Sequence, residues 1–176
     1  MKRAILYAAI SVDGFIVNGD GGIGRLGGQH GLHGRLPGHP HPSADIGTVV
    51  MGYDTYHRIA TQLLPGEWPY SGMETYVLAP HEIADAGSFH FVCEPAERLI
   101  LSLRRKVDKD IWICGGADVV QRCIRYHLAD LYHLSVVPVI LGSGMALFGS
   151  MEASIPLRLL SSYVENGAIE CIYERT

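Results

Sequence analysis

The chain has 176 residues, the size of one globular domain, and 48% of them are hydrophobic. Its 14 basic and 18 acidic residues give a net charge of −4 without a lysine- or arginine-rich patch, which disfavours a nucleic acid as partner. No apolar run reaches the roughly 18 residues of a membrane span. The four cysteines form no CxxC pair, which favours free thiols in a cytoplasmic protein. We therefore expect one domain over residues 1–176.

Apolar runs and helical periodicity alternate along the chain. They predict strands at residues 3–10, 46–51, 74–78, 89–93 and 110–114, and helices at 95–107 and 117–126. Strand-like runs then follow at 131–141, 157–164 and 168–173, and Glu165-Asn166-Gly167 predicts a hairpin turn between the last two. Strands alternating with helices before a final hairpin predict a mixed α/β sheet that is flanked by helices.

The segment 110–120 is the most informative, because an apolar strand changes at Gly115 and Gly116 into a helical pattern. Two residues without Cβ atoms allow a ligand to approach the backbone closely. The helix that follows offers unpaired N–H groups and the positive end of its dipole, which suit a phosphate. On this segment alone, a phosphate-binding turn and an ordinary strand-to-helix turn both remain open.

A loop over residues 19–42 is too rich in glycine, proline and histidine to be an idle connector. Its histidines raise the alternative of a metal site, since imidazole is a frequent zinc ligand. The segment HGLHG is not the HExxH pattern, and glycines and prolines leave no rigid helix to orient ligands, so we expect no metal. A substrate-pocket wall or a lid is the preferred interpretation of the four histidines, which are His30, His33, His39 and His41.

Three separated motifs occur in one order: SVDGFI at 11–16, VVMGYDTY at 49–56 and ICGGADVV at 113–120. Together with LSVVPVILGSGMALF at 134–148 they resemble the dihydrofolate reductase-like family. The likeness is greater to its branch that contains the reductase domain of riboflavin biosynthesis. This resemblance implies a three-layer α/β/α fold whose mixed, mostly parallel sheet ends in a C-terminal antiparallel hairpin.

The resemblance also implies a nicotinamide cofactor, NADPH by default, across the carboxyl ends of the strands. It implies that two helix starts converge on one pyrophosphate and that the peptide between Gly115 and Gly116 is cis. The positions that match cofactor contacts in the family fall into four groups. These are Ala9 and Ile16 at the nicotinamide ring; Gly52, Tyr53, Asp54 and Thr55 at the first phosphate turn; Leu78, Ala79, Pro80 and His81 beside the adenosine; and Gly115, Gly116, Ala117, Asp118 and Val119 at the second phosphate turn.

The chain departs from the family at Tyr53, where an arginine often pairs with the 2′-phosphate of NADPH. The adenosine loop supplies only His81, so charge-assisted recognition of that phosphate is poorly provided for. NADPH remains the family default. NADH is the alternative, unless His57, Arg58 and His81 replace the missing charge.

A second departure concerns the substrate. Dihydrofolate reductases carry a carboxylate on the helix after the first loop, whereas this chain has no acidic residue between Asp20 and Asp45, which disfavours folate reduction. The HxE and PCxxC signatures of the deaminase often fused to riboflavin-pathway reductases are also absent. The candidate for a polar catalytic residue is Asp13, whose alternative role is to hold its loop by hydrogen bonds.

These observations predict an NAD(P)H-dependent oxidoreductase that transfers a hydride to a small heterocyclic or conjugated C=N or C=O substrate. A riboflavin-pathway-like pyrimidine is one candidate. The alternative is a non-catalytic nucleotide-binding or sensor protein on the same fold. A homodimer is expected because related reductases are commonly dimers, with the apolar strand 134–141 as a contact.

Overall fold

The computed structural model describes residues 2–16, 45–151 and 153–176. The glycine-, proline- and histidine-rich loop over residues 19–42 lies entirely outside these residues. The predictions made for His30, His33, His39 and His41 therefore stay predictions.

One sheet organises the described residues. Its strands are β1 (Ala4–Ser11), β2 (Ile46–Gly52), β3 (Glu74–Leu78), β4 (Phe89–Val92), β5 (Asp110–Gly115), β6 (Leu131–Val137), β7 (Leu157–Glu165) and β8 (Ala168–Arg175). They follow the order β4-β3-β2-β5-β1-β6-β8-β7. The first six strands in this order, β4-β3-β2-β5-β1-β6, pair with one another in parallel. The strand β8 then pairs antiparallel with β6 on one side and with β7 on the other.

Helices cover both faces of this sheet. They are α1 (Tyr53–Arg58), which a π-helical turn (Ile59–Leu63) continues, α2 (Ala96–Lys106) and α3 (Ala117–Arg125). On one face the apolar stripes of α2 and α3 pack against Ala4, Leu6 and Ile10 of β1. On the other face Ile59 joins Trp112 and Tyr7, with Tyr53 and Tyr56 packed against them. The three-layer α/β/α arrangement predicted from the sequence is thus confirmed.

The helical stripes account for the two longer helices. In α2 the buried residues are Ala96, Leu99, Ile100 and Leu103, and the helix begins directly after Pro95. A proline suits a helix start because the missing N–H needs no partner there. The buried residues of α3 are Val119, Val120, Cys123 and Ile124. Their three- and four-residue spacing is what a helix with one buried face requires.

The C-terminal hairpin closes on the predicted two-residue turn. Asn166 has φ 51° and Gly167 has φ 82°, the positive angles that an Asn-Gly hairpin turn uses. The hairpin pairs with β6 through β8, so β6 is an interior strand of the sheet.

The predicted strand 131–141 ends earlier, at Val137. Pro138 follows and has no N–H to donate to a neighbouring strand. The backbone instead turns, and the N–H of Val139 donates to the carbonyl of Val137 at 2.7 Å. Because β6 lies between β1 and β8 and buries Leu134, its apolar character is explained without a second subunit.

Within the described ranges no helix is long and apolar enough to cross a membrane.

Candidate functional site

Three neighbouring parallel strands end at the same level of the sheet. Met51 of β2 pairs with Gly115 of β5, and Gly52 pairs with Leu78 of β3. The carboxyl ends of these strands and the segments that follow them therefore form one edge. Such an edge is where open α/β sheets bind ligands, and it gathers three of the four predicted groups of cofactor positions.

The two glycine turns at this edge touch each other. A Cβ atom on Gly116 would lie 3.3 Å from the backbone nitrogen of Gly52 and 3.4 Å from its Cα. A Cβ on Gly115 would lie 3.5 Å from Cγ2 of Thr55. Gly116 also has φ 81°, which side-chain-bearing residues rarely adopt. The packing of the two turns therefore requires glycine at this point, which the sequence alone left open.

Two helices start from these turns. Gly52 is the N-cap of α1 and Gly116 is the N-cap of α3, and neither receives a side-chain capping hydrogen bond. The first N–H groups of a helix have no partner within the helix, so these two starts offer uncapped donors side by side. Asp54 and Asp118 follow in the first turns and are exposed. The arrangement can hold an anion by backbone donors, with no lysine.

The predicted cis peptide between Gly115 and Gly116 is wrong. No cis peptide bond occurs in the part of the chain that the structure describes. The backbone changes direction by the positive φ of Gly116 instead, and the carbonyl of Gly116 then accepts the N–H of Val120 at 2.9 Å as α3 begins.

Aromatic rings surround the position where the family often has an arginine. The ring of Tyr53 lies 6.1 Å from that of His57 and 6.5 Å from that of His81, between ring centroids. His81 belongs to the predicted adenosine loop of Leu78, Ala79 and Pro80. The backbone N–H of Ala79 donates to Val92 of β4 at 2.9 Å and so fixes the start of this loop.

The predicted nicotinamide positions flank the loop after β1. Ala9 is buried on the face of β1 that also carries Tyr7, and it packs with Val137. Ile16 pairs with Ile10, and its N–H donates to the carbonyl of Met145 at 2.7 Å. Hydrogen bonds thus bring both ends of the tight loop back to the sheet.

Asp13 lies in this loop, and both of its carboxylate oxygens accept hydrogen bonds from the backbone. The N–H groups of Leu141 and Gly142 donate to its Oδ1 and Oδ2 at 3.1 and 2.8 Å. A hydrogen bond from Ser11 and these two backbone donors lower the pKa of Asp13 to about 2. The carboxylate therefore ties the loop after β1 to the segment after β6. This arrangement favours the loop-holding interpretation of Asp13, while its catalytic role stays a prediction.

A buried polar cluster that was not predicted from the sequence lies on the face of the sheet that also carries Ala9. Nε2 of His133 is 2.8 Å from Oε2 of Glu170, and the hydroxyl of Ser135 donates to Oε1 of Glu170 at 2.6 Å. The ring of Tyr7 meets that of His133 edge-on, with centroids 4.5 Å apart. Polar residues at alternate positions of buried strands were the only signal for it. We call Tyr7, His133, Ser135 and Glu170 the polar cluster.

Comparison with known proteins supplies the context of this geometry. The family model of the RibD C-terminal domain matches residues 92–167. The uncharacterized protein YwjB of Bacillus subtilis strain 168 is 30% identical over 99% of this chain and 98% of its own length.

Two solved structures show the same fold. A Shewanella sp. PV-4 protein named for riboflavin biosynthesis has a TM-score of 0.75 at 22% identity and covers 99% of both chains. Dihydrofolate reductase from Enterococcus faecalis, solved with NADP(H), has a TM-score of 0.62 at 15% identity, over 99% of this chain and 96% of its own.

Proposed function

Since the chain belongs to the RibD C-terminal domain branch of the dihydrofolate reductase-like family, we propose that it is a reductase dependent on a reduced nicotinamide cofactor. The family supports a reductase-type activity. The observation that carries the cofactor proposal is the contact between the turns at Gly52 and Gly116, which brings two uncapped helix starts together.

The residues at the edge of the sheet fit such a cofactor. Backbone N–H groups after Gly52 and Gly116 would hold the pyrophosphate. The absence of a Cβ on these glycines lets the two turns lie close together, because an added Cβ on either one would meet the other turn or Val119. The loop that begins at Leu78 would lie beside the adenosine. Ala9 and Ile16, on either side of the loop after β1, would contact the nicotinamide ring.

A bound reduced nicotinamide supplies a hydride, while the protein supplies position and a proton. We propose a small heterocyclic or conjugated substrate whose C=N or C=O bond is reduced, and a riboflavin-pathway-like pyrimidine is the first candidate. The name of the Shewanella protein supports that candidate. Asp13 remains a proposed site residue that acts by fixing the loop beside the ring.

NADPH is the proposed cofactor, and NADH is the alternative. NADP(H) is bound in the similar dihydrofolate reductase structure, which supports the first. The rings of Tyr53, His57 and His81 support the second, because no guanidinium stands at position 53 to pair with a 2′-phosphate.

We further propose a homodimer in the cytoplasm. Apolar side chains on the C-terminal hairpin support the dimer, since Leu159, Val164 and Ile169 are each at least half exposed. The four cysteines are free thiols, which fits a reducing compartment. Size-exclusion chromatography with light scattering tests the dimer, and a monomer would contradict it.

A non-catalytic nucleotide sensor is the competing function, because a sensor would need the two glycine turns for nucleotide binding as much as an enzyme would. Oxidation of NADPH, followed by absorbance with a panel of pterins, ribityl-pyrimidines and imines, separates the two. Turnover of one class supports the reductase. Tight NADPH binding without turnover of any class supports the sensor, and no binding of either cofactor contradicts both.

A further inference from the structure

One side chain joins the helix α3 to the segment that follows β6. Nε2 of Gln121 donates a hydrogen bond to the carbonyl of Ala146 at 2.8 Å. Gln121 is half-buried and lies just past the first turn of α3, the helix that starts at the glycine turn of Gly116. The contact therefore leads from the helix of the proposed phosphate site to a segment 25 residues further along the chain.

The segment that this side chain contacts also holds the loop after β1. The N–H of Ile16 donates to the carbonyl of Met145 at 2.7 Å, and the N–H of Leu147 donates to the carbonyl of Gly14 at 3.1 Å. A β-bridge joins the two segments at Ala146, between these two bonds. The loop after β1 is thus bound on both sides of the residue whose carbonyl accepts the glutamine amide.

Leu147 anchors the same segment by burial. It is fully buried in the apolar core that α3 enters through Val120 and Ile124. Apolar burial has no preferred direction, whereas a hydrogen bond does. Gln121 supplies a directional contact between α3 and this segment. A Cβ atom on Gly149 would lie 3.6 Å from the same amide, so the segment stays close to the glutamine beyond the hydrogen bond.

The placement of α3 itself does not depend on the glutamine. Its buried stripe packs the helix against the sheet. On its outer side, Arg122 donates to both carboxylate oxygens of Glu97 on α2, at 2.8 and 3.1 Å. Removal of the Gln121 amide should therefore loosen the segment around Ala146 and leave the helix in place.

We propose that Gln121 is a positioning residue that sets Ile16 relative to the glycine turns, so that one helix fixes both ends of the cofactor site. This inference rests on the proposed function, in which backbone donors after Gly116 hold the pyrophosphate and Ile16 contacts the nicotinamide ring. It adds a link between these two ends, which runs from α3 through Ala146 to the loop after β1.

Such a link matters only to a ligand that spans both ends of the site. ADP carries an adenosine and a pyrophosphate but no nicotinamide, so it would reach the glycine turns and not Ile16. NADPH would contact both ends, and its affinity would include the benefit of a loop that is already ordered. Loss of the link should therefore weaken the binding of NADPH and leave the binding of ADP unchanged.

Binding of NADPH and of ADP to Gln121→Met and Gln62→Met tests the link. Methionine keeps the length of glutamine and its helix propensity but has no N–H donor. Gln62 is an exposed glutamine of the π-helical turn, so Gln62→Met is the matched control. We expect Gln121→Met to bind NADPH about tenfold more weakly and ADP within about twofold of the wild type, and the control to change neither. Nicotinamide fluorescence measures the first affinity and isothermal titration calorimetry the second.

The two ligands distinguish a positioning role from a merely structural one. If Gln121→Met binds NADPH as tightly as the wild type, the proposal is overturned. An equal loss for NADPH and ADP also overturns it, because that result indicates a general disturbance of α3. Leucine is of similar size and also lacks a donor, so Gln121→Leu takes the place of Gln121→Met if the methionine variant does not fold.

Amide hydrogen exchange in the free protein tests the link without any ligand. The N–H groups of Ile16 and Leu147 donate the two bonds between the loop after β1 and the segment that follows β6. We expect both to exchange about tenfold faster in Gln121→Met than in the wild type or Gln62→Met, because one anchor of the segment is lost. The N–H of Val120, which donates within α3, should keep its rate.

Failure of the proposed function gives a different result from failure of this inference. Wild-type protein that binds neither NADPH nor ADP contradicts the proposed function, whereas the exchange rates still show whether Gln121 holds the loop. Wild-type protein that binds both ligands, with unchanged exchange of Ile16 and Leu147 in Gln121→Met, overturns the inference alone.

Discussion

Two polar regions of the molecule, the pair of glycine turns and the polar cluster, are built from different materials. At the proposed cofactor site, the backbones of Gly52 and Gly116 approach closely, and the two uncapped helix starts offer main-chain N–H groups. In the polar cluster, the contacts are made by side chains that are brought together from β1, β6 and β8. A backbone site therefore tolerates no added Cβ atom, while a side-chain site depends on one functional group at each position.

Gly116→Ala tests the backbone side and carries the largest expected effect. The new Cβ would lie 3.3 Å from the backbone nitrogen of Gly52. The alanine would also have to adopt the φ of 81° that Gly116 has. We expect a loss of about 1–3 kcal/mol in the free energy of unfolding and about tenfold weaker NADPH binding, measured by urea unfolding and by nicotinamide fluorescence.

Gly167→Ala is the matched control, because Gly167 has φ 82° but nothing within 4 Å of its added Cβ. It should lose stability through backbone strain alone and keep its affinity for NADPH. If both variants bind NADPH equally well, the close approach of the two turns is irrelevant to the cofactor.

Tyr53→Arg introduces a guanidinium at the proposed adenosine end of the cofactor site, beside His81. A charge-assisted pair with a 2′-phosphate is worth about 1.5–3 kcal/mol, so NADPH affinity should rise about tenfold or more. NADH affinity should stay unchanged, and Tyr53→Phe should alter neither. Fluorescence titrations with both cofactors measure the ratio, and parallel gains for NADH and NADPH would rule out 2′-phosphate recognition.

Asp13→Asn probes the loop after β1, which Asp13 ties to the segment after β6, and has the smallest expected effect. Because Asp13 is occupied by hydrogen bonds from the backbone of Leu141 and Gly142, kcat should change by less than about threefold. A loss of kcat of about 100-fold or more would place Asp13 in the chemistry.

The pH dependence of stability gives a second test of Asp13. Folding lowers its pKa from 3.8 to about 2, so its contribution to stability is present above pH 3.8 and is lost as pH falls through 2. Acid unfolding of the asparagine variant should therefore change less over that interval than that of the wild type. Identical acid profiles would mean that the carboxylate does not hold the loop.

The sequence predicted what local patterns determine. The stripes of α2 and α3 and the Asn166-Gly167 turn follow from spacing within a few residues, and the structure confirms all three. The glycine turn at Gly115 and Gly116 was also visible, because a strand and a helix meet there.

The rest depends on distant partners. The polar cluster joins Tyr7 to residues more than 120 positions later in the chain, and no local pattern brings them together. The helix α1 has only six residues and no buried position, so helical periodicity could not predict its end. The strand β6 ends early because Pro138 has no N–H to donate. The cis peptide expected from the family is absent from the described backbone.

The central claim is that the two glycine turns hold the cofactor's phosphates by backbone donors. NMR of the amide groups during titration with NADPH, without substrate, tests it most directly. The account predicts that N–H resonances of the first turns of α1 and α3, from Asp54 to Thr55 and from Asp118 to Val119, shift together and saturate. Saturable binding that leaves these resonances unmoved, or no binding at all, would contradict it.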